Sequence, residues 1–368
     1  MDKVNFRQFL CLTFIVTISM KMFMLPVIMM RVAGRDSFVS LCLTMAADFL
    51  LLLAVCAVMH LAGEKNLFEL LSSAFGRTFA RAALCLTGVF YLFKLFVILA
   101  DVRIFFSTTV FSSTMSPVHL LPLIVLMGYF AFKPVSVTGR ISELITPAVV
   151  VSMVLLSFMT LPEVDFSNVP PLAAEGWERI FLGTYSFALW FGDFTVLLAM
   201  TGRVKNGGGR LYFSLIAAAV GAAFMLTFST ALFSAYGDMT EVLTYGHNIS
   251  NMTQYGAGSY KFGRIDLIIY TLWLSAVLLS AGLMMIFFTR AVSMSFGEKA
   301  ARWTTVAACA ALFVCTMIFS ELNRVTEFMS SVFWAPALVV QYLFPLLCLI
   351  AAVVCRIRGR RAAKEATA

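Results

Sequence analysis

Charge is the property that this sequence has least of. Charged residues make up 12% of the 368 positions, whereas 61% are hydrophobic and the mean hydropathy is +0.93. About a quarter of the residues in a soluble domain are charged, so this composition excludes a soluble protein and predicts one embedded in the lipid bilayer. The net charge of +8 does not indicate a nucleic-acid partner, because the basic residues lie mostly at the ends of apolar segments.

Histidine is scarce as well, and the cysteines lack the spacing of a metal or redox site. The three histidines are scattered and no CxxC pair occurs, so we expect no metal centre and no cofactor. The eight cysteines all fall in apolar segments, where we expect small buried side chains rather than disulfides. There is no HExxH motif, no Ser/His/Asp or Cys/His arrangement and no nucleotide-binding domain, which argues against an enzyme and against ATP-driven transport.

Long apolar segments fill most of the chain. Each is close to the roughly 20 residues that a helix needs to cross a bilayer, and the short connections leave no room for a soluble domain. We therefore predict an all-α membrane protein with about ten transmembrane helices, in which residues 1–368 form a single permease-like domain and 356–368 a basic cytoplasmic tail. The predicted spans are 8–30, 37–61, 82–112, 119–136, 141–161, 178–201, 211–236, 265–289, 303–320 and 334–355.

The distribution of basic residues predicts the orientation. Outside the spans, the great majority of Lys and Arg residues fall on the same side as the N-terminus. The positive-inside rule places that side in the cytoplasm, and an even number of spans puts both termini there. On the same side, residues 62–81 have the pattern of an amphipathic helix lying along the membrane surface.

Polar residues interrupt the first apolar segment near its middle. Thr17, Ser19 and Lys21 precede Pro26, and Met20 lies between the last two polar residues. Polar groups are costly in hydrocarbon, so they usually line a cavity or pair with one another. We expect a helix break here.

The sixth segment is interrupted in a similar way. Gly192 and Asp193 follow Trp190 and Phe191 in an otherwise apolar stretch. Broken helices at matching places in two halves of a chain indicate a transporter binding site, since the freed backbone groups can hold a solute. The two halves would be repeats of about 8–161 and 178–355.

Lys21 has two interpretations. Its ammonium group would occupy a cation position or bind a substrate carboxylate, or it would form a structural ion pair with another buried charge. The candidate partners are Asp48, Asp101 and Asp193. Asp193 has alternatives too: it would hold an ammonium group or carry a proton, or it would cap the second half of the broken helix. We favour a site role for Asp193.

The second and third segments contain further buried charges. Lys94 and Asp101 lie seven residues apart and share one helix face, whereas Arg103 points to another face than Asp101. Together with Asp48, these residues are candidates for coupling or for structural charge pairing, and we favour the structural role. Two aromatic residues complete the candidate pocket, Tyr91 and Trp273.

Short motifs along nearly the whole chain occur in the order of a known family. They resemble the spore germination permeases, the B-type subunits of bacterial nutrient germinant receptors, which belong with the amino acid–polyamine–organocation transporters. The motifs are Phe6-Arg-Gln-Phe9, Met24-Leu-Pro26, Ala33-Gly-Arg-Asp36, Gly139-Arg140-Ile-Ser-Glu143, Asn168-Val-Pro-Pro171, Phe181-Leu-Gly183 and Arg264-Ile-Asp266.

The resemblance implies a LeuT-like fold with five plus five helices in inverted repeats and discontinuous first and sixth helices. It also implies nutrient sensing, often of amino acids, in a complex with an A-type membrane subunit and a C-type lipoprotein in the spore inner membrane. Two departures concern the expected ligand site. This chain has Ser19-Met20-Lys21 in place of a small, glycine-containing first break, and Asp193 where the family commonly has Glu.

Three functions follow as hypotheses. In the leading one, the protein is the nutrient-binding subunit of a germinant receptor and binds its ligand between helices one, three, six and eight through free backbone groups at both breaks. In the second, it is a proton- or cation-coupled amino-acid permease in the bacterial cell membrane, with Lys21 replacing a bound sodium ion and Asp48, Asp101 or Asp193 carrying a proton. The third, a purely structural membrane subunit, fits less well with the polar residues at both breaks.

Overall fold

The described part of the chain is almost entirely helical. The computed structural model describes residues 3–110, 116–160, 167, 171, 173–205, 209–236, 265–319 and 333–367. Its helices are α1 (Phe6–Ala33), α2 (Ser37–Ala62), α3 (Leu67–Phe75), α4 (Arg77–Phe105), α5 (Ser116–Phe132), α6 (Val135–Thr160), α7 (Trp177–Ser186), α8 (Ser214–Tyr236), α9 (Ile265–Phe296), α10 (Glu298–Ile318), α11 (Trp334–Leu338) and α12 (Phe344–Thr367).

Every predicted span coincides with one of these helices or with a bent pair. Within the described residues, six helices are long and apolar enough to cross a membrane, and α7 forms a seventh span together with the helical residues Ala188–Met200. The ninth span, α10, begins several residues earlier than predicted. In the centre of the bundle α9 packs against α1, α4, α5, α6 and α10.

The first span does not contain the helix break that the sequence predicted. Helix α1 runs without interruption from Phe6 to Ala33 and contains no glycine. The Thr13 hydroxyl donates to the Phe9 carbonyl at 2.9 Å, and the Thr17 hydroxyl donates to the Thr13 carbonyl at 2.8 Å. Because these polar groups are satisfied within their own helix, they do not require the backbone to unwind. The prediction of a discontinuous first helix was therefore wrong.

The sixth span is broken where the sequence predicted it. Helix α7 ends at Ser186, and the chain continues as two 3₁₀ helices, Ala188–Trp190 and Asp193–Met200, with a bend of 51° in the span. Between these short helices Gly192 has φ +74°, a left-handed conformation that favours glycine. We call residues 187–192 the break.

The last span contains a different irregularity. Residues Val339–Leu343 form a π-helical turn between α11 and α12. We call this segment the π turn. Helix α12 then continues to Thr367, so the predicted basic tail is helical almost to its end. Near that end the Arg358 guanidinium donates to the Ser73 carbonyl of α3 at 2.8 Å.

Contacts at the two ends of the bundle are consistent with the number of spans between the segments that they join. Two segments separated by an even number of spans are expected at the same end. The Val4 amide donates to the Arg203 carbonyl and the Lys205 amide donates to the Val4 carbonyl, both at 2.8 Å, so the N-terminus meets the segment after the sixth span. At the other end, buried Asp36 accepts from the Glu175 amide at 2.7 Å. This contact joins the residues after the first span to those before the sixth.

Candidate functional site

A buried ion pair joins α1 and α2. The Lys21 ammonium contacts the Asp48 carboxylate, and both side chains are almost inaccessible to solvent. Of the predicted alternatives for Lys21, the structure contains the pair with Asp48. The ammonium also lies over the rings of Phe191 and Phe194, 5.2 Å from each ring centroid, a distance at which a cation is attracted to an aromatic face.

Asp48 connects this pair to the break and to the last span. One carboxylate oxygen contacts Lys21, while the other accepts from the Gly192 amide at 2.9 Å and from the Tyr342 hydroxyl at 3.0 Å. Asp48 therefore satisfies an amide that the broken helix has released. A carboxylate with three donors is well stabilised even when it is buried.

A second buried ion pair lies on the other side of the break. The Lys94 ammonium of α4 is 2.5 Å from Asp193 Oδ1 and donates to the Phe191 carbonyl at 3.1 Å. Both side chains are fully buried. Within the described residues neither carboxylate oxygen of Asp193 accepts a backbone amide of the 3₁₀ helix that it begins, so the capping alternative is not observed there.

Two further side chains hold the carbonyl groups of the break. The Tyr91 hydroxyl donates to the Gly192 carbonyl at 3.3 Å, and the Gln341 carboxamide donates to the Leu189 carbonyl at 3.2 Å. Beyond the break, the Thr195 hydroxyl donates to the Gln341 carbonyl at 2.7 Å. Of the backbone groups expected to be free for a ligand, the Gly192 amide and the Leu189, Phe191 and Gly192 carbonyls are bonded to protein side chains.

The predicted site residues of α1 are only partly brought to this network. Lys21 belongs to it, whereas the Thr17 hydroxyl is bonded within α1. Ser19 and Met20 are buried, and the Ser19 hydroxyl has no hydrogen-bond partner within the described residues. The predicted aromatic residues Trp190 and Trp273 are buried as well.

Two of the predicted charges have other positions. Arg103, near the end of α4, donates to the Thr316 carbonyl at 2.6 Å and to the Met317 carbonyl at 3.5 Å. It therefore binds the C-terminal carbonyl groups of α10, as a basic residue commonly does at a helix end. Asp101 is buried in α4, two helical turns beyond Lys94.

Sequence reasoning missed Gln341, Tyr342 and Thr195. All three are polar residues inside apolar segments, which is the signal that singled out Asp48, so the same rule applied to the tenth segment would have found the first two. The role of Asp36 was missed too, although it belongs to one of the family motifs. Its carboxylate accepts from the amides of residues 174 and 175.

Comparison with protein families identifies the chain's relatives. A model of the spore germination protein family, Spore_permease, matches residues 3–325. This chain belongs to that family. The predicted family resemblance is thereby confirmed. A search of curated proteins gave no match to this chain.

A solved structure establishes the fold. The chain is similar to Mhp1, a nucleobase-cation-symport-1 family transporter in a closed conformation with bromovinylhydantoin bound. The TM-score is 0.61 at 11% sequence identity, over 99% of this chain and 93% of that chain. The predicted all-α, LeuT-like fold is confirmed, except that α1 is continuous. The protein is an integral, multi-pass, transporter-like membrane protein.

Proposed function

We propose that this protein is the nutrient-binding subunit of a germinant receptor and that its ligand is an amino acid. The observation that carries the proposal is the pair of buried ion pairs, Lys21–Asp48 and Lys94–Asp193, on the two sides of the break. Family membership supports the germination role. It also supports the spore inner membrane as the location, and an A-type membrane subunit and a C-type lipoprotein as partners.

The charges of the two ion pairs fit a zwitterion. Two ammonium groups and two carboxylates surround the break, so the set is electrically neutral. An amino acid brings one charge of each sign, and its carboxylate can bind a lysine while its ammonium group binds an aspartate. A ligand with a single charge would leave an unpaired charge in a buried site, which is strongly unfavourable.

Ligand binding at this site is coupled to helix packing. Asp48, Lys94, Tyr91 and Gln341 already hold the backbone of the break, so a ligand that binds there must displace some of these contacts. The contacts join α2, α4 and the last span to the sixth span. A ligand that replaces them favours a different packing of these helices, which a partner subunit can detect.

The alternative is a proton- or cation-coupled amino-acid permease. The Phe191 carbonyl and the Asp193 carboxylate are oxygen ligands at an unwound helix, the kind of group that binds a coupling cation in transporters. Here the Lys94 ammonium contacts both. A fixed cation at this position favours a sensor, or a permease driven by protons, over a sodium-coupled permease.

Binding measurements on the purified full-length protein in lipid nanodiscs test the proposal. We expect at least one amino acid from a panel of twenty to bind, and its decarboxylated amine to bind at least 10-fold more weakly. Asp193→Asn keeps the side-chain shape and removes the charge, so the affinity should fall by about 10- to 100-fold. Failure of every amino acid to bind, or wild-type affinity in Asp193→Asn, would contradict the proposal.

Asp36→Asn is the matched control. Asp36 is as deeply buried as Asp193, but its carboxylate binds amides at the end of the bundle. This variant should lose thermal stability and keep its affinity for the ligand. Uptake of the bound amino acid into proteoliposomes under a pH gradient distinguishes the alternatives: accumulation favours the permease, and binding without accumulation favours the sensor.

A further inference from the structure

Gln341 is a buried polar residue in direct contact with the break. It has no solvent exposure and lies in the π turn of the last span. Its side chain packs against Gly192, where an added Cβ would lie 2.4 Å from the Gln341 Cβ. π-helical turns within longer helices occur frequently at functional sites.

Hydrogen bonding fixes the orientation of the Gln341 carboxamide. Its nitrogen lies 3.2 Å from the Leu189 carbonyl oxygen, which can only accept a hydrogen bond. The NH₂ group must therefore point to Leu189, and Oε1 is the opposite atom of the amide. Within the described residues Oε1 is buried and has no hydrogen-bond donor.

A second buried acceptor beside the break, on Asp193, also lacks a hydrogen-bond donor within the described residues. Asp193 follows Gly192 directly, and its Oδ1 is 2.5 Å from the Lys94 ammonium. Its Oδ2 is buried and has no hydrogen-bond donor in the part of the chain that the structure describes. A buried acceptor without a donor is unfavourable, so both oxygens favour a ligand that brings N–H or O–H groups.

A protonated primary amine matches these two oxygens. It carries three N–H donors, no acceptor and one positive charge. A carboxylate would bring further acceptors and would be repelled by Asp193. A hydroxyl group has a single donor and no charge, so it satisfies one of the two oxygens at most.

We propose that Gln341 is a specificity-determining residue that recognises the ligand's protonated amino group: its Oε1 accepts one N–H and Asp193 Oδ2 accepts another. This inference rests on the proposed function, in which an amino acid binds at the break. It adds a residue of the last span to a site that the sequence placed between helices one, three, six and eight.

The test compares ligands that differ only in the amino group. L-alanine, L-valine and L-phenylalanine are each paired with the matching 2-hydroxy acid, and binding is measured on the full-length protein in nanodiscs. In the wild type, the amino acid should bind at least 10-fold more tightly than its hydroxy analogue. Gln341→Met retains the length of the side chain but has no amide oxygen, so this preference should fall at least 10-fold.

Ser280→Ala is the matched control. Ser280 of α9 is also buried and its hydroxyl has no hydrogen-bond partner within the described residues, but it makes none of the break contacts. Its removal should leave the preference for the amino group unchanged.

A ligand series tests the inference without any variant. On the wild type, successive N-methylation of the amino acid that binds removes N–H donors and retains the positive charge. We expect each lost donor to weaken binding, and the trimethylated form to bind at least 10-fold more weakly than the parent amino acid.

The outcomes separate this inference from the proposed function. If no amino acid binds the wild type, the proposed function and the inference about Gln341 are both overturned. If amino acids bind and Gln341→Met keeps the full preference for the amino group, the inference alone is overturned. It is overturned as well if Gln341→Met weakens the amino acid and its hydroxy analogue equally, because Gln341 then only positions the break.

Discussion

The first and sixth spans have similar polar interruptions and different backbones. Lys21 lies in a helix that is continuous from Phe6 to Ala33, whereas Asp193 begins a 3₁₀ helix after a bend of 51° in its span. Each of these residues forms a buried ion pair with a neighbouring span. A buried charge in a span is therefore not enough to break the helix.

Glycine and the neighbouring helices account for the difference. The sixth span has Gly192 in a left-handed conformation, and the amide and carbonyl groups that it releases are bonded to Asp48 and Tyr91. Helix α1 contains no glycine, and the Thr17 hydroxyl is satisfied by a carbonyl of the same helix. The comparison teaches that a break needs both a permissive backbone and external partners for the freed groups.

The largest expected effect comes from removing the residue that the two spans share. Asp48→Ala leaves the Lys21 ammonium buried without its carboxylate and the Gly192 amide without its acceptor. We expect the free energy of unfolding to fall by about 3–5 kcal/mol, as when one partner of a buried ion pair is removed. Thermal and denaturant unfolding of the purified protein in detergent measure this loss.

A double variant separates the lost charge pair from the lost hydrogen bond. Lys21→Met combined with Asp48→Leu removes both charges, so much of the stability should return. The loss in unfolding free energy that remains in the double variant measures how much the hydrogen bond from the Gly192 amide to Asp48 stabilises the break. If Asp48→Ala were as stable as the wild type, the first and sixth spans would not be coupled through this carboxylate.

The next largest effect tests the backbone of the break. Gly192→Ala places a Cβ 2.4 Å from the Gln341 Cβ and forces an alanine into a left-handed conformation. Strain and overpacking should together lower the free energy of unfolding by about 2–4 kcal/mol. Gly63→Ala is the control, because Gly63 has φ +61° with nothing within 4 Å of an added Cβ. It should lose only about 1–2 kcal/mol. Equal losses in the two variants would mean that packing against Gln341 contributes nothing.

The smallest expected effect comes from replacing a threonine by valine in the sixth span and, for comparison, in the first. Thr195→Val removes a hydroxyl that bonds the Gln341 carbonyl of another span, so we expect a loss of about 1–2 kcal/mol in unfolding free energy. Thr17→Val removes a hydroxyl bonded within its own helix and should change stability by less than about 0.5 kcal/mol. The same unfolding assay measures both, and a larger loss in Thr17→Val would reverse the comparison.

The sequence was sufficient for the parts of the structure that depend on composition and length. Apolar segments of membrane-spanning length located the helices, and Gly192 beside a charge located the real break. The pairing of Lys21 could not be decided among three aspartates, because it depends on how the helices are rotated against each other. The break in α1 was predicted wrongly, because the sequence does not show whether a threonine hydroxyl bonds to a carbonyl of its own helix or needs a partner outside it.

The π turn of the last span could not be predicted from the sequence. Gln341 and Tyr342 stand out as polar residues in an apolar segment, but the irregular helical turn that directs them to the sixth span has no sequence signature that we used. Their positions follow from packing against Gly192 and Asp48. Such contacts become visible only when the helices are assembled.

The electrical neutrality of the buried charges has a consequence for membrane voltage. Moving one elementary charge through a potential of 100 mV changes the energy by about 2.3 kcal/mol, which is how isolated charges make membrane proteins sensitive to voltage. The two ammonium groups and two carboxylates around the break sum to zero, so a joint displacement of the whole group does no net electrical work. Since a zwitterion also has no net charge, its binding at the break would respond to ligand concentration and hardly to whether the membrane is energised.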